Sequence, residues 1–213
     1  MITTDTGPTD QAAGLRRLMA RPQPRVLHWL DPAGDADGVL SALADALAGQ
    51  HAACLVLTAD GGATRHPGGR LSPQAARAVR AAPDAASLAG VAGADLHIVL
   101  AVTLGTGATA GVPAASECVI VMTIGGQGGL AAGLTDTYAI LKRVQRSDGM
   151  TRCAILVRGG NAGSTQAAYA RLESVSSRFL GLELRLLGGL SPPPAQGRAA
   201  PRGLRDVARS LLG

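Results

Sequence analysis

Apolar runs of strand length alternate with helical patterns along most of this chain, from residue 25 to residue 190. Several runs are continuously apolar, as in strands that are buried on both faces of a parallel sheet. The alternation predicts an α/β fold: a doubly wound, mostly parallel sheet with helices on both faces. The predicted strands span residues 25–30, 53–58, 96–102, 118–123, 153–157 and 184–187. The predicted helices between them span residues 37–48, 73–82, 130–146 and 164–179.

Two of these helices carry specific signals. Ser72 followed by Pro73 is typical of an N-cap and a first helical turn. In the last predicted helix, four apolar residues recur at helical spacing and predict the side that packs on the sheet. These residues are Ala168, Leu172, Val175 and Phe179.

Proline-rich stretches divide the chain into four parts. Residues 1–20 form an amino-terminal segment, residues 21–24 a stiff Arg-Pro-Gln-Pro linker, and residues 25–190 the α/β domain. Residues 191–213 are a proline-rich tail that ends in a predicted short helix at 203–212. We expect that helix to pack on the domain, with weak contact to a membrane as the alternative.

The amino-terminal segment has an amphipathic pattern of its own. Gln11, Leu15 and Leu18 are spaced four and three residues apart, and Thr9 or Asp10 can cap the helix that this spacing predicts. A helix this short is marginal alone, so we expect it to order on a partner. Packing on its own domain is the alternative interpretation.

Charge and composition argue against several classes of function, among them nucleic-acid binding. The chain has 20 Lys and Arg against 15 Asp and Glu, and Lys142 is its single lysine. The arginines are spread out and aromatic residues make up only 2% of the chain, so direct nucleic-acid binding is not expected. The sequence shows no signal peptide and no apolar run of about 20 residues, which predicts a cytoplasmic protein. The cysteines lie in apolar runs and are predicted to be buried, reduced thiols: Cys54, Cys118 and Cys153.

The turn after the first strand is where a phosphate-binding loop belongs in such a fold. A phosphate cradle needs free backbone N–H groups, a lysine, and a Ser or Thr hydroxyl. This turn instead has Pro32 and three acids, Asp31, Asp35 and Asp37, with no lysine near them. A divalent cation site is one interpretation of the acids, and N-capping by Asp35 or Asp37 is the preferred one.

Other candidate chemistry is weak. Glycine-rich turns at 105–109 and 125–129 follow strands and are interpreted as flexible connections, with anion binding as the alternative. His28 and His97 lie in strands without the spacing of metal ligands. No serine or cysteine lies in a nucleophile motif, so the sequence predicts no catalytic residue and no metal site.

Several motifs in the second half of the chain resemble a known family. The run GLTDTYAILK at 133–142 continues through SDGMTR at 147–152, and YARLESV and RFLGLEL follow within 169–184. Together, over about residues 112–190, they resemble the carboxyl half of the FlhG family, also called FleN. These are MinD/ParA-type ATPases that regulate flagellar number and placement. The DQAAGLR motif at 10–16 is similar to that family's activator segment.

The resemblance implies a role for the amino-terminal segment. In the family it stimulates FlhF, a GTPase of the signal-recognition type. Gln11 would reach the partner's GTPase site, where a glutamine amide can orient the attacking water. Asp10 would cap the helix or pair with a partner cation, while Leu15 would be the apolar anchor and Arg16 a charged contact.

The resemblance also implies that the family's nucleotide chemistry is lost in this chain. The family's phosphate-binding loop falls on residues 31–37, with Ala36 and Asp37 where its lysine and threonine belong. The acid that ends the third strand falls near Leu100, and the base-reading asparagine falls near Arg158. The implied vestigial nucleotide site consists of Asp31, Gly34, Asp35, Ala36, Asp37 and Asp60.

The implied protein is a degenerate family member: a pseudo-ATPase rather than an enzyme, without a cofactor, and a monomer. Its implied partners are an FlhF-type GTPase and basal-body or transcriptional regulator proteins, with recruitment to the cell pole or the inner membrane surface. Two alternatives stay open. One is an atypical ATPase that binds ATP and Mg and uses Arg25 or Arg65 in place of the lysine, and the other is a non-flagellar ParA-like adaptor.

Overall fold

The computed structural model describes residues 23–32, 36–58, 60–82, 84–93, 95–102, 117–125, 128–148, 152–191 and 201–213. The strands are β1 (Arg25–Leu30), β2 (Ala53–Leu57), β3 (Ala63–His66), β4 (Gly69–Arg70), β5 (Leu96–Val102), β6 (Glu117–Thr123), β7 (Arg152–Arg158) and β8 (Glu183–Leu190). The helices are α1 (Ala36–Ala48), α2 (Pro73–Arg80), α3 (Ala85–Ala92), α4 (Gly129–Asp148), α5 (Ala162–Leu180) and α6 (Leu204–Leu212).

The strands form one sheet of eight, in the order β4-β3-β2-β5-β1-β6-β7-β8. Every pair from β2 across to β8 is parallel. At the β2 edge, β3 and β4 add an antiparallel hairpin. The prediction of an α/β fold with a mostly parallel sheet is therefore confirmed, while the finer prediction of a MinD/ParA-type fold is not.

Helices cover both faces of the sheet, because successive side chains of each strand point to opposite faces. On β1, Leu27 and Trp29 pack in one core cluster with α1 and α6. Val26 faces the other side, where α2 and α3 cover one half of the sheet. The other half of that face is covered by α4 and α5. Aliphatic side chains fill both layers, as the scarcity of aromatic residues requires.

The hairpin and α3 are the elements that the sequence pattern missed. The hairpin strands β3 and β4 are only four and two residues long, so they show no period-2 pattern. In α3, Asp84 accepts a hydrogen bond from the Ser87 backbone N–H at 2.7 Å and caps a helix of eight residues. The other predicted elements are present with ends shifted by a few residues, and Ser72 caps α2 as predicted.

The predicted buried side of α5 is partly wrong. Ala168 and Leu172 are buried, but Val175 is 42% exposed and Phe179 is 64% exposed. The buried line continues from Leu172 to Ser176 and Leu180 in steps of four residues, so it turns slowly around the helix and leaves Val175 and Phe179 to one side. The buried residues of α5 are Thr165, Ala168, Tyr169, Leu172, Ser176 and Leu180.

The predicted helix of the tail belongs to the core. In α6, Leu204, Val207, Ala208 and Leu211 are buried against α1 and β8, whereas Leu212 is 39% exposed. The apolar side of the helix is therefore used for packing within the fold. Among the described residues, no helix is both long enough and apolar enough to cross a membrane.

The cysteines are free and buried, as predicted. Burial raises the pKa of the Cys54 thiol to about 12. Burial and, second, the charge of Glu117 raise the pKa of the Cys153 thiol to about 12. These two thiols therefore stay protonated at neutral pH, which makes them poor nucleophiles.

A single glycine sets the distance between α4 and β6. A Cβ on Gly133 would overlap with the backbone carbonyl oxygen of Thr123. We expect Gly133→Ala to lower the free energy of unfolding by about 1–3 kcal/mol, because helix and strand must move apart. Gly90→Ala in α3 is the matched control, since no atom lies within 4 Å of the added Cβ. It should raise stability by up to about 1 kcal/mol, and urea unfolding of both variants measures the difference.

Candidate functional site

The topology of the sheet marks one crevice as the candidate site. β1 and β6 are neighbours, but β1 leads through α1 to β2 on one side, whereas β6 leads through α4 to β7 on the other. In open α/β sheets, ligands bind outside the carboxyl ends of the strands at such a switch point. The candidate site therefore lies beyond Leu30 and Thr123, the last residues of these two strands.

An ion pair occupies this edge. Arg158, the last residue of β7, has its Nη1 atom 3.4 Å from Asp31 Oδ2 and its Nη2 atom 3.4 Å from Asp31 Oδ1. The same Nη2 donates to Thr123 Oγ1 at 3.4 Å. The Asp31 side chain is 2% exposed and the Arg158 side chain 18% exposed. One guanidinium thus connects the ends of β1, β6 and β7 in a setting where charge is costly unless it is compensated.

Two glycine backbones contact each other at this edge, in the loops that follow β6 and β7. A Cβ on Gly159 would lie 2.8 Å from the backbone N of Gly125, and a Cβ on Gly125 would lie 3.2 Å from the carbonyl oxygen of Gly159. Gly159 also has a φ of +95°, which favours glycine. The chain turns that follow β6 and β7 are therefore packed backbone to backbone.

Three helices begin at the same edge, because α1, α4 and α5 follow β1, β6 and β7 in the chain. Helix amino ends carry partial positive charge and attract anions. The amino end of α5 is already capped: Asn161 Oδ1 accepts from the Ser164 backbone N–H and Ser164 Oγ accepts from the Asn161 N–H, both at 2.9 Å. The edge therefore combines an arginine, helix amino ends and close-packed glycine turns.

The predicted vestigial nucleotide residues are only partly gathered here. Asp31 lies in the site, and Ala36 and Asp37 begin α1, but Gly34 and Asp35 lie outside the described residues. Asp60 follows β2, which β5 separates from β1, so the two strands are about 10 Å apart.

Asp60 instead stabilises the turn in which it lies. Its Oδ1 accepts hydrogen bonds from Thr58 Oγ1 and, at 2.9 Å, from the Gly62 backbone N–H. These hydrogen bonds hold the pKa of the Asp60 carboxyl below its usual value. The structure thus brings Asp31 to Arg158 and not to Asp60.

Neither of the two arginines proposed to replace the lysine lies at this edge. Arg25 is the first residue of β1 and lies at the opposite end of the strand. Arg65 in β3 binds both carboxylate oxygens of Asp95, at 2.5 and 2.7 Å. Arg158 is the residue that sequence reasoning undervalued. The available signal was a charged residue at the end of a continuously apolar strand, where the sheet opens to its loops.

The predicted contacts to a partner GTPase, Asp10, Gln11, Leu15 and Arg16, lie outside the described residues, so they stay predictions. Within the described ranges, no group of three or more His, Cys, Asp or Glu side chains is arranged to hold a metal ion.

A second charged cluster lies at the opposite, amino edge of the sheet, beside a pocket of about 530 Å³. Glu117 begins β6, and its carboxylate lies 2.8 Å from Arg185 Nη2 and 3.0 Å from Arg25 Nη2. The same two guanidinium groups donate to carbonyl oxygens in the last turn of α6, those of Ser210 at 2.8 Å and Leu211 at 2.6 Å. This cluster therefore fixes the end of α6 to the sheet, which is a structural role.

Comparisons with known proteins give distant likenesses only. No protein-family model matches the chain, and a search of curated proteins finds no match. Among solved structures, the chain is similar to folylpolyglutamate synthetase of Helicobacter pylori, with 13% identity and a TM-score of 0.44 over 94% of this chain and 56% of that one. An FPGS-AMPPCP-folate complex is similar with 12% identity and a TM-score of 0.43 over 92% of this chain and 54% of that one. A bifunctional folylpolyglutamate synthase/dihydrofolate synthase with Mn, AMPPNP and L-glutamate bound is similar with 13% identity and a TM-score of 0.41. The match covers 94% of this chain and 55% of that one. The chain spans about half the length of these structures.

These findings correct two expectations. The solved structures named above are folylpolyglutamate synthetases and not MinD/ParA-type ATPases, so the assignment to the FlhG family is wrong. They are also enzymes, so the expectation of a non-enzyme is withdrawn. The motifs that carried the resemblance lie mainly on α4, β7 and α5. Helix-on-sheet packing imposes similar apolar spacing there in many α/β folds, which explains why such motifs mislead.

The ion pair of the site predicts a coupled effect on stability. Asp31→Asn or Arg158→Gln alone should each lower the free energy of unfolding by about 3 kcal/mol, because each leaves a buried charge uncompensated. The double variant should lose clearly less than the sum of the two. Urea unfolding at neutral pH measures all three variants.

The control is the exposed ion pair between Arg152 Nε, at the start of β7, and Glu183 Oε2, at the start of β8, which are 3.5 Å apart. Arg152→Gln should change stability very little, because solvent screens the pair. Strictly additive losses for Asp31→Asn and Arg158→Gln would contradict the coupling.

Proposed function

We propose that the carboxyl edge of this sheet binds a phosphate-bearing ligand, with ATP and Mg as the leading candidate. The observation that carries the proposal is the position of Arg158, whose side chain is 18% exposed and lies at the switch point of the sheet. A guanidinium has five N–H donors in a planar fork, so one arginine can pair with a carboxylate and an anionic ligand together.

The surroundings of Arg158 support an anion. The helices α1 and α4 begin at this edge and add partial positive charge, which attracts an anion. The carboxylate of Asp31 is compensated by Arg158 itself, so it does not repel a phosphate group as a lone acid does.

The binding mode differs from that of a lysine-containing phosphate loop. Lys142, the single lysine, lies 13 residues after Gly129, the first residue of α4. That distance is about 20 Å along the helix, away from the carboxyl edge. The arginine at the end of β7 therefore takes the place of the lysine in this proposal.

Binding of ATP with Mg to the full chain tests the proposal. Trp29 is the single tryptophan, fully buried and two residues before Asp31, so its fluorescence reports on this edge. We expect saturable binding of ATP and of inorganic triphosphate, but not of adenosine. Arg158→Ala should weaken binding at least tenfold, because the ion pair to phosphate is lost.

Arg152→Ala is the matched control, since Arg152 begins the same strand and lies at the opposite edge. It should leave affinity unchanged. Arg158→Lys keeps the charge and guards against a folding defect, and it should bind with intermediate affinity. The proposal is rejected if neither ATP nor inorganic triphosphate binds, or if Arg152→Ala and Arg158→Ala weaken binding equally.

A second proposal concerns the amino-terminal segment and rests on the similarity of its DQAAGLR motif, at 10–16, to a GTPase-activating segment. We propose that the helix predicted at 10–18 stimulates a partner GTPase of the signal-recognition type, with Gln11 orienting the attacking water. The spacing of Gln11, Leu15 and Leu18 supports the helix, and the GTPase as partner comes from the similarity of the motif. GTP turnover by such a GTPase should rise when the full chain is added, and Gln11→Ala should abolish the rise while Gln23→Ala does not. No stimulation by the unmodified chain rejects this proposal.

A further inference from the structure

An apolar groove runs between α4 and α5 on the outer surface of the protein. It has a volume of about 570 Å³ and is lined on the α4 side by Leu134 and Tyr138, and on the α5 side mainly by Arg171, Leu172 and Val175. We name it the α4/α5 groove. Val175 is 42% exposed there, although its spacing predicted a core position.

Two of the four aromatic residues of the chain lie in or beside this groove. The chain contains one Phe, one Trp and two Tyr. Tyr138 lines the groove, and Phe179, one turn beyond Val175 on α5, is 64% exposed. Phe, Tyr and Arg are residue types enriched where proteins bind each other, and here Phe179 is exposed and Tyr138 half-buried. Because the core is aliphatic and the single Phe is exposed, we infer that this surface is an interface.

The charges around the groove are basic. Arg171 lines it, and Arg178 lies two turns further along α5 with its guanidinium carbon 5.3 Å from the centre of the Phe179 ring. Lys142 follows Tyr138 by one turn of α4 and is exposed. A partner must therefore bring acidic groups.

The nearby acids lie on other sides of the two helices. Glu173 Oε1 accepts the hydrogen bond of Tyr169 Oη at 2.9 Å, next to the edge strand β8. Asp136 is two residues from both Leu134 and Tyr138, so it faces a different side of α4. Neither acid therefore neutralises the basic rim.

Charge disfavours two other occupants. A second copy seated by two-fold symmetry would place a second basic rim against this one, in a chain of net charge +5. The amphipathic segment at 10–18 of the same chain carries Arg16 and Arg17, so it is basic as well. A concave slot between two helices also suits a helix better than the flat surface of a membrane.

We propose that the α4/α5 groove binds an amphipathic helix of another protein, with apolar anchors at i, i+3 or i+4 and i+7 spacing and acidic residues along its flanks. The anchors fill the space between Leu134, Tyr138 and Val175. The acidic flank pairs with Arg171, Arg178 and Lys142. The mode is that of a helix laid in a groove of two helices.

Selection from a displayed library of random 16-residue peptides against the full chain tests the proposal. We expect enriched peptides to share the apolar spacing and a negative charge. Val175→Ser should weaken their binding at least tenfold, as should Arg171→Glu. Arg171→Glu used as bait should in turn select peptides with fewer acidic and more basic residues, which a merely structural arginine does not cause.

Val91→Ser is the matched control, because Val91 is 45% exposed on α3, away from the groove. It should leave peptide affinity unchanged, and circular dichroism with urea unfolding shows whether each variant is folded.

Five results would overturn the proposal. One is the absence of enriched peptides, and another is peptide binding that Val175→Ser and Val91→Ser affect equally. Binding to phosphatidylglycerol vesicles that Val175→Ser abolishes would identify a membrane surface instead. Dimerisation in sedimentation that Val175→Ser abolishes would identify a second copy, and a photo-cross-link from a probe on Val175→Cys to residues 10–18 would identify the chain's own segment.

Discussion

A parallel sheet has no face that it can leave to water, and the rest of this structure follows from that constraint. β1 lies between β5 and β6 and sends Leu27 and Trp29 to one side and Val26 to the other. Helices must cover both sides, so the chain has to cross over after each parallel strand. All parallel strands then end at one edge, which is where the chain can assemble a site from residues far apart in sequence.

Charged residues occur at both edges of the sheet, with different consequences. At the amino edge, Glu117 is held by Arg25 and Arg185, and the two guanidinium groups also bind the last carbonyls of α6. That cluster joins a helix end to the sheet. At the carboxyl edge, Arg158 pairs with Asp31 where the connections of neighbouring strands diverge and helices begin. The same physical requirement, that a buried charge is compensated, thus serves stability at one edge and, in the function that we propose, ligand binding at the other.

Local sequence similarity was a poor guide to family in this chain. The motifs at 133–142 and 169–184 fall on α4, α5 and the start of β8, where burial against a sheet restricts residue choice. Gly133 is needed because α4 approaches the Thr123 carbonyl closely, and Tyr169 because its hydroxyl bonds to the Leu184 carbonyl at 2.7 Å. Such packing requirements arise in unrelated α/β proteins, so these motifs indicate how helices pack on a sheet and not a particular function.

The sequence by itself determined the α/β class, the six parallel strands, most of the helices and the burial of Cys54, Cys118 and Cys153, because hydrophobic period and continuity report burial directly. It did not determine the strand order, the pairing of Asp31 with Arg158 across 127 residues, or the exposure of Val175 and Phe179. Those depend on which strands become neighbours and on how α5 is rotated against the sheet. Only tertiary packing decides these, since a periodic pattern shows that a residue can be buried but not which neighbour buries it.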